Sequence, residues 1–237
     1  GLPFRIAAPL GLVGLYVRWK LDETPAFQAV KEEHAVAHSP LKDTLRNHGA
    51  AICCLGAFVS LTALSFYMFT TYFATYLQVA GGLSRATALL VSLIALLFAA
   101  AICPLAGLYS DRVGRRATVV TACVLLMVAV YPSFLMASSG GFAASIVGVM
   151  LLAIGAVLCG VVTAALLSET FPTRTRYTAS AITYNMAYTL FGGTAPLVAT
   201  WLISTTGSNM SPALYLIAVA LLALAGGLAL PETSRIS

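Results

Sequence analysis

Charge is scarce in this chain. Of 237 residues only 9% are Asp, Glu, Lys or Arg, where a soluble domain carries about 25%. Hydrophobic residues make up 59%, and the mean hydropathy is +0.92. No soluble core of this size needs so much apolar surface, so the composition points to a polytopic membrane protein. No Asp, Glu, Lys, Arg or His falls within residues 49–84, 86–110, 117–168 or 177–231. Cysteine is also sparse. Cys53, Cys54, Cys103, Cys123 and Cys159 all lie inside apolar runs, and none stands at metal-ligand spacing from a His. They read as small lipid- or core-facing residues, with neither disulfides nor a metal site expected. The apolar runs hold no Ser/His, His/Glu or paired-Asp constellation, which argues against a membrane-embedded enzyme. The chain opens at Gly1 without an initiator Met, and no charged n-region leads to a small-residue cleavage site. The expectation is a piece of a longer protein.

What is present is a series of long apolar runs. A spanning helix needs about 20 predominantly apolar residues. Seven runs meet or approach that length: 3–19, 49–79, 86–109, 117–137, 142–168, 178–204 and 212–230. Each is expected to be helical, because lipid offers no partner to an unpaired backbone group. Alternate connections then fall on opposite sides. One side collects Arg18, Lys20, Lys31, Lys42, Arg46, Arg112, Arg115, Arg116, Arg174, Arg176 and Arg235; the other has only Arg5 and Arg85. By the positive-inside rule the crowded side is cytoplasmic. The same bias explains the net charge of +5, so nucleic acid is not expected as a partner. Residues 20–48 form the one long polar segment, with helical charge spacing and Pro40 as a break. An amphipathic cytoplasmic linker is expected there. Its His34, His38 and His48 read as solvated residues rather than metal ligands.

One connection concentrates charge. Residues 107–116, GLYSDRVGRR, carry one acid, three arginines and two glycines. Taken alone, the loop is explained by positive-inside anchoring, a tight turn at Gly114, close backbone approach at Gly107, and Asp111 capping the next helix. The spacing Gly107-x-x-x-Asp111-Arg112-x-Gly114-Arg115-Arg116 also resembles the loop signature of the major facilitator superfamily. ETFPTRTRY (169–177) resembles that superfamily's stretch after its tenth helix, and PETSR (231–235) its exit from the twelfth. PLGLVGLYVRWKLDETPAF (9–27) and FPTRTRYTASAITYNMAYTLFGGTAPLVATWLI (171–203) resemble the metabolite:proton symporter family, which includes proline/betaine, α-ketoglutarate, citrate and shikimate transporters. The sugar-porter branch shares some of these pieces, but its Gln-Gln pair in the seventh helix is missing here.

The resemblance implies an all-α polytopic membrane protein, the C-terminal half of the major facilitator fold. Residues 1–19 would be the end of transmembrane helix 6 and 20–48 the central linker. Residues 49–230 would be the six-helix bundle of helices 7–12, and 231–237 a cytoplasmic tail. It implies alternating access in a plasma (inner) membrane, with a small-molecule substrate and protons. The lipid bilayer and the missing N-terminal six-helix half are the other expected partners. No cofactor is expected, the proton gradient supplying the energy. Carried over residue by residue, Gly107, Asp111, Arg112, Gly114, Arg115, Arg116, Glu169, Arg174, Arg176 and Glu232 would form the cytoplasmic gate.

With no ionisable residue in the apolar runs, a proton-coupling carboxylate is expected in the missing half. Ser60, Tyr67, Thr71 and Gln78 recur at helical steps and are expected to share a face. Asn185 and Tyr188 share another, with Tyr184 beside them. Ser60, Tyr67, Thr71, Tyr184, Asn185 and Tyr188 are therefore candidates to line a substrate cavity. Aromatic faces attract quaternary ammonium groups, which suits a proline/betaine-type zwitterion; a small organic acid is the other expected class. Interfacial aromatic belts and interhelical hydrogen bonds are the competing explanation, and the one favoured for Tyr72 and Tyr76. Gly148 and Gly155, with Gly160 beyond, suggest close helix packing, and Gly192-Gly193 with Pro196 a bend. A sugar or other-solute facilitator is the alternative function. A seven-span receptor is more distant; residues 212–230 lack the lysine that a retinal pigment needs.

Overall fold

The computed structural model describes residues 13, 16, 19, 40–173 and 175–229. The chain divides into two units, Gly1–His38 and Ser39–Ser237. Val13, Tyr16 and Trp19 in the first are helical; the rest of the expected run 3–19, most of the 20–48 linker and the 231–237 tail lie outside the described residues. Among its described residues the second unit holds six helices long and apolar enough to cross a membrane: His48–Val79, Arg85–Val113, Arg115–Ser138, Phe142–Glu169, Arg176–Thr206 and Ser211–Ala229. Each starts and ends within about four residues of an expected run, because the edge of an apolar run is also where backbone groups regain access to water.

Two of these spans are not uniform α-helices. The first consists of α1 (Pro40–Tyr67), a π-helical turn (Met68–Tyr72) and α2 (Phe73–Val79). Pro40 is the first residue of α1, where its missing N–H removes no intrahelical bond. Next come α3 (Arg85–Val113), α4 (Arg115–Ser138) and α5 (Phe142–Glu169). The fifth span consists of α6 (Arg176–Ala187), a second π turn (Tyr188–Gly192) and α7 (Ala195–Thr206), followed by α8 (Ser211–Ala229). The interruption expected near Gly192-Gly193 is thus a π turn followed by non-helical Gly193 and Thr194, with Pro196 at the start of α7.

The first span is the pillar of the bundle. It packs against α8, α6 and α5, while α5 also packs against α3 and α4. Most of its apolar window, 67%, is buried. The α4–α5 contact is close enough to require glycine. A Cβ on Gly148 would lie 2.7 Å from the Ser133 carbonyl oxygen, and one on Gly155 2.5 Å from Leu126. Without a hydrophobic drive between helices in lipid, such close van der Waals packing supplies much of the adhesion. Gly160 meets nothing within 4 Å and takes no part. Some buried hydroxyls are satisfied locally or across helices: Ser133 donates to Ala129 O at 2.6 Å, and the Thr62 and Thr163 hydroxyls lie 2.7 Å apart between α1 and α5; those of Ser145, Thr170 and Thr175 are buried without a partner among the described residues.

Tyr72 and Tyr76 correct the expectation of an interfacial belt. Both are buried. The Tyr76 ring packs at 4.8 Å from Phe134, and its hydroxyl donates to Asn209 O at 3.1 Å. The interhelical hydrogen bond, the other half of that expectation, is the part the structure bears out: the ring fills a core position while its polar tip reaches the loop before α8.

Candidate functional site

The charged end of the bundle starts from a one-residue reversal. Val113 ends α3, Arg115 starts α4, and Gly114 between them has φ 99°, ψ 161°. This backbone region is essentially restricted to glycine. Both backbone groups of Gly114 are paired. Its N–H donates to Ser110 O, and its carbonyl accepts from the Thr118 N–H, each at 3.1 Å. Asp111 therefore does not cap α4, contrary to expectation. It lies within the last turn of α3, and Gly114 is the N-cap. Gly107 likewise has no close neighbour; a Cβ there would meet nothing within 4 Å.

Freed from capping, Asp111 accepts from Arg115 Nη1 at 2.6 Å. The same guanidinium reaches across to α5, with Nη2 3.1 Å from Glu169 Oε1 and Nε 3.3 Å from the same oxygen. Nη1 also donates to Ser110 Oγ at 3.1 Å. Arg115 is the hub, its planar fork serving three acceptors on two helices. The Arg115 side chain is 15% exposed, Glu169 30% and Asp111 66%. The Glu169 pair is consequently the stronger contact, and the solvated Asp111 pair contributes at most about 1 kcal/mol. Arg116 turns the other way, donating through Nη2 to Leu228 O at 2.9 Å on the last turn of α8. Arg176 donates through Nε to Phe171 O at 3.0 Å and closes its own loop. Arg112 is exposed. Arg174 and Glu232 lie outside the described residues.

The second grouping is aromatic and polar, and lies where α1 packs against the second π turn. Tyr67 directly precedes the first π turn and Tyr188 opens the second. Their ring centroids are 6.4 Å apart, edge to face. Tyr184 stacks on Tyr188 at 4.0 Å. Asn185 is exposed, its amide N–H donating to Ala181 O at 2.8 Å. Ser60 is buried and donates to Gly56 O at 2.7 Å. Thr71 is exposed, and Gln78 donates to Ala74 O at 2.8 Å. Ser60 and Tyr67 both precede the first π turn, Thr71 lies within it and Gln78 beyond it. The turn rotates Thr71 and Gln78 out of the register that simple helical spacing gives them.

The fifth span, which carries Tyr184, Asn185 and Tyr188, has the lowest mean hydropathy of the six, 1.3, and is only 22% buried. The second span is nearly as uncovered, at 28%, but its mean hydropathy is 2.7. The second span's open face is thus oily, while that of the fifth mixes Tyr184, Asn185 and Thr189 with exposed Met186, Leu190, Leu197 and Trp201. Sequence reasoning missed the Arg115 hub, the Thr62–Thr163 pair and the close approach of Tyr67 to Gly192. The first had a signal in the 111/115 helical spacing; the others depend on which helices become neighbours.

Six apolar helices packed as a bundle, with an ionic cluster at one end, define the class: a polytopic α-helical membrane protein. The family model described as Major Facilitator Superfamily matches residues 2–196. The chain belongs to the major facilitator superfamily. It is 32% identical to the ectoine/proline transporter of Corynebacterium glutamicum, over 99% of this chain and 48% of that protein. It is equally identical, with the same coverage, to the proline/betaine transporter of Escherichia coli K12. An inner membrane metabolite transport protein of the same bacterium is 33% identical over 98% of this chain and 54% of its own length. The chain spans about half the length of these relatives. They agree with the placement in the metabolite:proton symporter family that residues 9–27 and 171–203 suggest.

Proposed function

We propose that the chain is the C-terminal half of a secondary active transporter that takes up a small zwitterion of the proline/betaine type with protons, by alternating access. Residues 49–230 are then its helices 7–12, with 1–19 the end of helix 6, 20–48 the central linker and 231–237 the tail. The observation that carries this reading is the fifth span. It is the least apolar of the six and the least covered. A side-chain amide or hydroxyl facing hydrocarbon with no partner costs roughly 4–8 kcal/mol. Asn185 places one amide N–H on Ala181 O, but the rest of its amide is exposed, and together with exposed Tyr184 and Thr189 on the same span it favours a water-filled cavity over lipid. A second bundle closing over that face would supply such a cavity.

The substrate class follows from the relatives' names together with the stacked tyrosines, whose ring faces attract ammonium groups. The lack of Asp, Glu, Lys, Arg and His in 49–84, 86–110, 117–168 and 177–231 supports a proton-carrying carboxylate in the other half. Gly107, Asp111, Arg112, Gly114, Arg115, Arg116, Glu169, Arg174, Arg176 and Glu232 are assigned to the cytoplasmic gate. Arg115 bridging α3 and α5 is the contact best suited to form in one state and break in the other. The test is uptake by the full-length protein in proteoliposomes, with glycine betaine, proline, α-ketoglutarate, citrate and shikimate as probes. Uptake of betaine or proline that collapses with the proton gradient is expected. Uptake of neither, or uptake indifferent to the gradient, overturns the reading.

A further inference from the structure

The second π turn ends at Gly192, which is buried. A Cβ built there would lie 2.9 Å from both Cδ2 and Cε2 of Tyr67 and 3.4 Å from the Ala63 Cβ. The Tyr67 ring thus rests directly on the backbone of the fifth span, in a notch that only glycine leaves open. Tyr67 in turn meets Tyr188 edge to face at 6.4 Å, and Tyr188 stacks on Tyr184 at 4.0 Å. The notch therefore fixes the depth of the first ring in a three-tyrosine wall. Gly193, next in sequence, does not do this: its nearest neighbours are carbonyl oxygens of its own turn, Thr189 at 3.3 Å and Tyr188 at 3.8 Å.

We propose that Gly192 is a positioning and specificity-determining residue. By lacking a side chain it seats Tyr67 against the fifth span and sets how much room the tyrosine wall leaves for the substrate's ammonium group. This rests on the transport reading above. A methyl at position 192 forces the ring outward by at least about half an ångström to regain ordinary van der Waals contact. The Ala63 Cβ, 3.4 Å from the built Cβ, leaves the methyl little room on its own side, so the ring gives way, and on the transport reading this narrows the space at the tyrosine wall. A bulky trimethylammonium loses more from that narrowing than the compact secondary ammonium of proline.

The test uses the full-length transporter with Gly192→Ala, Tyr67→Ala, the double variant, and Gly160→Ala as a control whose Cβ meets nothing within 4 Å. Gly192→Ala is expected to raise KM for glycine betaine five- to tenfold and for proline less than threefold, with Vmax per inserted molecule within twofold. In the Tyr67→Ala background the same substitution should change KM less than twofold, since its effect passes through the ring. Equal KM increases in both backgrounds, or a fall in Vmax with KM unchanged, overturn the proposal. A second readout does not depend on transport. Nitration of Tyr67 by tetranitromethane, quantified by peptide mass spectrometry against exposed Tyr177, should rise at least twofold in Gly192→Ala. Unchanged nitration removes the seat. Wild-type protein that takes up none of the probes sinks the transport reading instead, and nitration still decides whether the seat exists.

Discussion

At the scale of single residues, the structure separates groups that carry shape from groups that carry charge. Gly114 carries shape. Its φ of 99° with ψ 161° means that Gly114→Ala should cost about 1–3 kcal/mol in strain. Thermal unfolding of the purified full-length protein in detergent checks this; an unshifted midpoint would mean that the reversal relaxes freely. Arg115 carries charge. Arg115→Lys keeps the charge but loses the fork that serves Ser110, Asp111 and Glu169 together. It should therefore behave nearly as badly as Arg115→Gln in uptake. A fully active lysine variant would reduce the cluster to simple charge neutralisation. Asp111→Asn should slow or abolish transport with insertion intact, and normal uptake would refute a switching role. Tyr67→Ala should raise KM; unchanged KM would make Tyr67 a packing residue.

At the scale of elements, the fifth span is the one whose composition disagrees with its exposure. Replacing Asn185 by Leu makes it more apolar and should favour insertion, yet it should impair uptake if that face is wet. Equal uptake would mean the face is not part of the cavity. Tyr76 poses the opposite case, a buried ring with a hydroxyl bonded to Asn209 O at 3.1 Å. Tyr76→Phe leaves that carbonyl short of a donor at nearly constant volume. A loss of about 0.5–1.5 kcal/mol is expected, again from thermal unfolding, with uptake unchanged. The first π turn explains why spacing arguments serve Ser60 and Tyr67, which precede it, but not Thr71 and Gln78, which lie within and beyond it. One extra residue in a turn rotates everything beyond it by roughly 100°, and no residue in FYMFTTY announces it.

At the scale of the whole molecule, the prediction concerns sides and halves. If the charged end faces the cell interior, Arg115→Cys in the full-length protein should react with an impermeant maleimide only after the membrane is opened. Labelling from outside intact cells would invert the bundle. This chain expressed alone should insert but concentrate no substrate, since residues 49–84, 86–110, 117–168 and 177–231 hold no Asp, Glu, Lys, Arg or His to couple to a proton gradient. Concentrative uptake by the fragment would move the proton site into this half.

Hydropathy by itself determined the six described spans, to within about four residues at each end, because the bilayer penalises every exposed backbone group and so turns composition directly into helix limits. The 107–116 and 169–177 stretches likewise announced a charged end before any contact was known. Only the folded bundle decided that Arg115 rather than Asp111 organises that end, that Tyr76 is core, and that Gly192 lies beneath Tyr67. These facts depend on which helix faces which, across separations of 54 residues for Arg115 and Glu169 and more for Tyr67 and Gly192. Local pattern carries no record of such pairings, because helix-to-helix contact in lipid is chosen by shape complementarity between surfaces rather than by the spacing along either one.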